Sequence, residues 1–219
     1  METEAKLAFK DKDSLYGFST ADCFRKFCAD TDEHSPVLLE NSYLDTPDHV
    51  ISGRGGMIRV RHYKGSNEDR FEFTVKYGGS VSGAVHQRYE WNVESSSGNF
   101  SVSEFKRLAP VEYDSADVLA QALDGIRDDD LKVICSNSFY RTVIRLAYGR
   151  SRIEACFDSG IIKSADGIRT DEICELELEL TDGFEDDLRN ITDLFIAQAG
   201  CVPFEDTKYR RTLAMGTGN

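Results

Sequence analysis

Between Glu175 and Leu180 the chain alternates carboxylate and leucine: Glu175-Leu176-Glu177-Leu178-Glu179-Leu180. Successive side chains of a strand point to opposite faces, so the three glutamates share one face at about 6–7 Å spacing. Like charges at that distance repel, most strongly away from bulk water. Two readings fit such a row. A half-buried antiparallel strand can simply leave it in solvent. Alternatively, a hard divalent cation, which takes oxygen ligands, would use the carboxylates and relieve their repulsion.

The strands that must position this row show the same alternation with answering charges. Glu2, Glu4 and Lys6 lie opposite Thr3, Ala5 and Leu7 in a first strand. A second is expected over Val37 to Thr46, a third over Met57 to Lys64 with Arg59 and Arg61 on one face, and a fourth over Arg70 to Tyr77 with Glu72, Thr74 and Lys76 on its polar side. The fifth, His86 to Glu94, alternates Arg88, Glu90 and Asn92 with Tyr89, Trp91 and Val93. Lys132 to Ala147 carries Arg141 and Arg145, Arg152 to Asp158 carries Glu154 and Asp158, and the glutamate strand comes eighth. Helical spacing is expected after Ser19-Thr20-Ala21-Asp22, over Ser103 to Ala109 and Ala116 to Leu123, and from Phe184 to Ala199 before Gly200. Asp30 to Pro36, Gly53 to Gly56 and Gly78 to Gly83 read as loops or turns.

Two architectures accommodate eight strands that each keep a charged face. A sandwich leaves its charged faces scattered in water. A closed barrel turns them inward and covers its apolar outer faces with helices. An enclosed lumen requires balanced charge, and the rows supply it: Glu2, Glu4, Glu90, Glu154, Asp158, Glu175, Glu177 and Glu179 against Lys6, Arg59, Arg61, Lys76, Arg88, Arg141, Arg145 and Lys208. Periodicity alone leaves sandwich and barrel equally open. Glu72, Arg145 and Arg152 read as rim or ion-pair residues, Trp91 as core beneath a helix, Tyr43 as packing, and Arg210 and Arg211 as surface.

Composition bounds the function. The chain has 219 residues, 40% hydrophobic and 30% charged, which suits one globular domain over 1–219. A net charge of −13 argues against a general binder of nucleic-acid duplex or anionic membrane, so a polyanionic ligand needs a local basic cluster. No secretory leader or spanning segment is expected, and six scattered cysteines without a C-x-x-C suit a reducing, cytoplasmic setting better than a disulfide framework. The histidines show no zinc-ligand spacing. Gly53-Arg54-Gly55-Gly56 lacks the Gly-Lys-Ser/Thr continuation of a phosphate loop.

The ordered set resembles the CYTH superfamily, the triphosphate tunnel metalloenzymes. Glu2-x-Glu4-x-Lys6 is similar to its E-x-E-x-K signature, Asn41-Ser42-Tyr43-Leu44-Asp45-Thr46-Pro47 to its strand-two motif, Ile58-Arg59-Val60-Arg61 to its paired arginines and Thr74-Val75-Lys76 to its tunnel lysine. Arg88-Tyr89-Glu90, the Glu154 to Asp158 strand, the glutamate row and Thr207-Lys208 follow in the family's order. Phe139 departs from it, standing where a lysine commonly precedes the arginine by two residues.

The resemblance implies an α+β fold: an eight-stranded antiparallel β-barrel with a charged lumen, flanked by helices. It implies magnesium- or manganese-dependent chemistry at a triphosphate, with metal binding by Glu2, Glu4, Asp158, Glu175, Glu177 and Glu179. Phosphate binding falls to Lys6, Arg59, Arg61, Lys76, Arg88, Arg141 and Lys208, since guanidinium and ammonium groups hold a linear polyanion by charge-assisted hydrogen bonds. Glu90, Asp158 and Lys208 are the catalytic candidates, Glu90 as the residue orienting or deprotonating water. Inorganic tripolyphosphate, cleaved to pyrophosphate and phosphate, is the first expected substrate. Thiamine triphosphate hydrolysis, ATP cyclisation and non-catalytic binding of a phosphorylated ligand are the alternatives.

Overall fold

The computed structural model describes residues 1–29, 35–65, 70–111, 115–164 and 166–216. Its strands are β1 (Glu2–Ala8), β2 (Val37–Asp45), β3 (Gly56–Lys64), β4 (Arg70–Ser82), β5 (Val85–Ser95), β6 (Lys132–Tyr148), β7 (Ser151–Lys163), β8 (Thr170–Asp182) and the short β9 (Val202–Pro203). They hydrogen-bond in the order β5-β4-β3-β2-β6-β7-β8-β1, and β1 pairs again with β5, which closes an eight-stranded antiparallel barrel. β9 adds to one end of β1. The barrel expectation therefore holds, and the sandwich does not.

The closing register sets the site. Glu4 opposes Glu179, Lys6 opposes Glu177 and Glu2 opposes Arg88. A shift of one residue would send all of these outward, so the alternation of the sequence and the closure of the barrel specify each other.

The apolar outer faces are covered in two places. On β1 and β6–β8, Leu7, Ala155, Phe157, Leu176 and Leu178 pack under α1 (Lys12–Thr20), α2 (Asp22–Arg25) and α6 (Glu185–Ala199) through Leu15, Phe18, Phe24, Leu188, Ile191 and Phe195. On β3–β5, Phe73, Val75, Trp91 and Val93 pack under α4 (Val102–Leu108) and α5 (Ala116–Ala122). Trp91 is 2% exposed there, as its parity requires. α3 (Val50–Gly53) caps the turn after β2, where the buried Asp45 carboxylate accepts the backbone N–H groups of Thr46, Ile51 and Ser52.

Three elements differ from expectation. The helix expected after Ser19 to Asp22 is α2, which begins at Asp22 and lasts one turn, whereas α1, capped by the Asp11 side chain accepting Ser14 N–H, is an additional helix before it. The Gly78 to Gly83 segment is the continuation of β4, bulged between Tyr77 and Ser80. A Cβ on Gly79 would lie 2.1 Å from Gln87 O, so only glycine permits this close pairing with β5. The basic tail is a helix, α7 (Lys208–Gly216), which enters the end of the barrel. Of the expected Asp30 to Pro36 loop, residues 30–34 lie outside the described residues. No described helix is long and apolar enough to cross a membrane.

Candidate active site

Inward-facing side chains from β1–β8 and α7 surround a cavity of about 800 Å³. Among the described residues nine basic and seven acidic side chains line it, a balance opposite in sign to that of the chain as a whole.

Glu2, Glu4 and Glu179 form one group, their nearest carboxylate oxygens all within 4.8 Å of one another. Glu4 is 2% exposed and its Oε1 accepts no hydrogen bond; Lys6 Nζ lies 3.3 Å away. Burial raises the Glu2 carboxyl well above the ordinary carboxylate range, against the pull of Lys76 and with the push of Glu4 and Glu90. Burial raises Glu179 too, more than Arg141 lowers it. For Glu4, Lys6 and Lys76 outweigh burial and hold it below that range. A buried oxygen that accepts no hydrogen bond, inside a group of three carboxylates, fits a hard divalent cation by both ligand type and charge.

The other half of the glutamate row is saturated. Arg141 holds Asp158 in a two-bonded fork, both contacts at 2.7 Å, and also reaches Glu177 and Glu179. Lys208 Nζ meets Asp158 at 2.8 Å, Glu175 at 2.6 Å and Glu177 at 2.9 Å. Arg211 takes the second oxygen of Glu175 and lies 2.6 Å from Asp171. Asp158 and Glu175 are 0% and 1% exposed and do not line the cavity. In this geometry both carboxylates anchor α7. The three donors of the Lys208 ammonium are directed at these three carboxylates, and its side chain also lines the cavity. Arg211, expected at the surface, is part of this floor. Although burial opposes charge here, the surrounding cations hold Glu177 well below its ordinary range, and the carboxylates hold Lys208 well above its own.

Across the lumen stand the expected phosphate ligands. Arg59 donates to Glu72 at 3.1 Å and Thr74 at 2.8 Å, while its buried Nε has no acceptor. Arg61 donates through Nε to Asn41 at 2.9 Å. Lys76 bridges Glu2, at 2.8 Å, and Glu90, and Arg88 donates to His86 Nδ1 at 3.2 Å. Burial and the neighbouring Lys6 lower His86, which suits its acceptor role. Lys76 and Arg59 hold Glu90 far below its ordinary range despite burial. Glu72, set aside above as a rim or ion-pair residue, lies in the lumen; its parity with Lys76 was the available signal. Phe139 lines the lumen with the Lys208 ammonium 5.2 Å from its ring centre, so an aromatic face occupies the place of the family's usual lysine.

A family model described as the CYTH domain matches residues 28–212. The chain belongs to the CYTH family. The match begins after β1, and the pairing of Glu4 with Glu179 is what joins the N-terminal signature to the rest of the CYTH site. An inorganic triphosphatase of Haemophilus influenzae is 28% identical over 178 residues, covering 81% of this chain and 44% of that protein. The chain thus spans less than half the length of this curated relative. A Hippeastrum protein investigated as an adenylyl cyclase and described as having a dominant triphosphatase activity has a TM-score of 0.66 at 17% identity, over 100% of this chain and 98% of its own. A Bacillus halodurans protein described as a candidate adenylate cyclase has a TM-score of 0.53 at 17% identity, with 96% of both chains covered. These two likenesses show the fold.

Proposed function

We propose that this CYTH chain, acting as one catalytic domain, hydrolyses tripolyphosphate to pyrophosphate and phosphate with magnesium or manganese. One observation carries the reading: a row of cations with donors to spare faces an under-neutralised carboxylate group across a single enclosed cavity. The Haemophilus relative named as an inorganic triphosphatase supports the substrate.

Arg59, Arg61, Lys76, Arg88 and Lys6 bind the phosphate oxygens and spread their negative charge along the tunnel. Glu2, Glu4 and Glu179 hold the metal, with Glu177 behind them fixing Lys6 and Arg141. Bound there, a divalent cation supplies Lewis-acid stabilisation of phosphoryl charge and lowers the pKa of a bound water. Glu90 accepts a hydrogen bond from water and orients it. Paired with Lys76 and held low by it, Glu90 is better suited to orienting water than to taking its proton. Arg141 keeps a terminal N–H for substrate while its other donors hold Asp158, Glu177 and Glu179. The buried Cys156, Cys174 and Cys201 thiols agree with a reducing, cytoplasmic setting.

Incubation with tripolyphosphate, thiamine triphosphate and ATP, with each metal in turn, tests the reading. Metal-dependent phosphate release, greatest from tripolyphosphate, is expected. Release of pyrophosphate from ATP without orthophosphate would make the chain a cyclase, and saturable binding without turnover would make it a binding module.

A further inference from the structure

We infer that a buried amide relay, Asn41–Asn137–Thr212, positions the guanidinium of Arg61 in the tunnel and ties its orientation to helix α7. The inference rests on the proposed reading of Arg61 as a phosphate ligand.

Arg61, Asn41 and Asn137 are directly opposed on β3, β2 and β6. Arg61 Nε donates to Asn41 Oδ1 at 2.9 Å, Asn41 Nδ2 to Asn137 Oδ1 at 3.0 Å, and Asn137 Nδ2 to Thr212 Oγ1 at 2.8 Å. The Thr212 hydroxyl donates in turn to Lys208 O at 2.6 Å, within α7. The four side chains belong to residues no more than 8% exposed.

The polarity of the chain is forced from one end. A guanidinium has donors only, so Asn41 must turn its oxygen to Arg61 and its amide nitrogen to Asn137. Asn137 must then accept with its oxygen, which aims its nitrogen at Thr212 and, at 3.3 Å, at the Tyr43 hydroxyl. Each amide is held on both sides, so neither can flip without leaving buried polar groups unmatched. Engaged through Nε, Arg61 presents its terminal N–H groups to the lumen; Glu72, 3.7 Å from Nη1, is the nearer carboxylate there. A guanidinium locked at Nε keeps its two-pronged donor face in one plane, which suits bidentate contact with phosphate. No charged residue of α7 is needed for this. The helix already anchored by Lys208 and Arg211 gains a second, uncharged line of contact, running to the opposite wall.

Thr212→Val keeps the shape and removes the nearer acceptor of Asn137, leaving only the longer contact with Tyr43. The expected result is a KM for tripolyphosphate raised about threefold to tenfold, the scale of one buried hydrogen bond, with kcat changed less than twofold. Thr212→Ser should restore the wild-type KM. In an Arg61→Gln background, Thr212→Val should add nothing to KM. The Arg61 Nε–H proton, followed by NMR without substrate, should exchange with solvent faster in Thr212→Val. An unchanged KM and unchanged exchange in a folded Thr212→Val protein, or a full additional KM effect in the Arg61→Gln background, overturns the relay. Should Arg61→Gln itself leave KM unchanged, the phosphate-binding reading fails instead, while the exchange measurement still judges the relay. Should Thr212→Val fold poorly, as thermal melting will show, Asn137→Asp supplies the same exchange test: it replaces the donor toward Thr212 with an acceptor, and slower or unchanged exchange overturns the relay.

Discussion

One strand presents the same residue type to two opposite fates. Glu179 shares a wall with Glu2 and Glu4; the three meet Arg141, Lys76 and Lys6 singly, and burial keeps two of these three carboxyls raised. Glu175, four residues away on the same face of β8, is clasped by Lys208 and Arg211 and sealed from the cavity. The difference comes from α7, which brings its cations to one half of the row and stops there. An alternating glutamate strand therefore need not act as one unit: where α7 supplies two cations to one carboxylate it is an anchor, and the lumen end is the part proposed above to take a metal.

The largest effect expected from this contrast is on stability. Lys208→Met leaves Asp158, Glu175 and Glu177 without their shared cation, and breaking a buried ion pair from one side costs about 3–5 kcal/mol. Chemical denaturation should show that loss, and adding Glu175→Gln should recover part of it. Glu4→Gln should weigh the two readouts the other way. Lys6 keeps Glu177 as its partner, so the metal-free protein loses less stability than with Lys208→Met, while metal-dependent turnover falls about 100-fold or more because Lewis-acid stabilisation is worth several kcal/mol. If Glu4→Gln unfolds the protein as Lys208→Met does, the two halves of the row do not differ.

How far the contrast is readable from the chain depends on periodicity. Strand parity places Glu4, Arg59, Arg61, Lys76 and Glu177 in one lumen, because a period of two leaves only two faces to choose from. It cannot say which carboxylates α7 will neutralise, since that helix reads as a short basic tail with only Lys208 and Thr212 buried. Nor can it pair Asn41 with Asn137, 96 residues apart, without the strand order β3-β2-β6. α1 was legible in principle: Asp11 is a good N-cap, Asp13 stands in the first turn, and Leu15 and Phe18 fall three apart on the buried side. The β4 bulge was not, because paired glycines signal a turn as readily as a close approach of two strands.

Metal binding sharpens the same comparison at a smaller scale. Magnesium or manganese should raise the melting temperature of the wild type, by about 1.4 kcal/mol of stability at tenfold Kd. The gain should vanish in Glu4→Gln and survive in Glu175→Gln. A gain lost equally in both would return Glu175 to the ligand set.

The smallest effect is a pH dependence on the cationic wall. Burial would raise Glu72, but Arg59 and Arg61 outweigh it and hold its carboxyl below the ordinary value of 4.5. A depressed folded-state pKa means that the unfolded chain binds its proton first as pH falls. The contribution of Glu72 is therefore fully present above about pH 4.5 and is lost as the pH drops through the lowered folded-state value. Glu72→Gln should flatten the acid limb of the stability curve over that window and leave neutral-pH metal binding unchanged. An acid limb identical to the wild type's would show that Arg59 and Arg61 are not balanced by Glu72, and that their charge is already committed elsewhere along the tunnel.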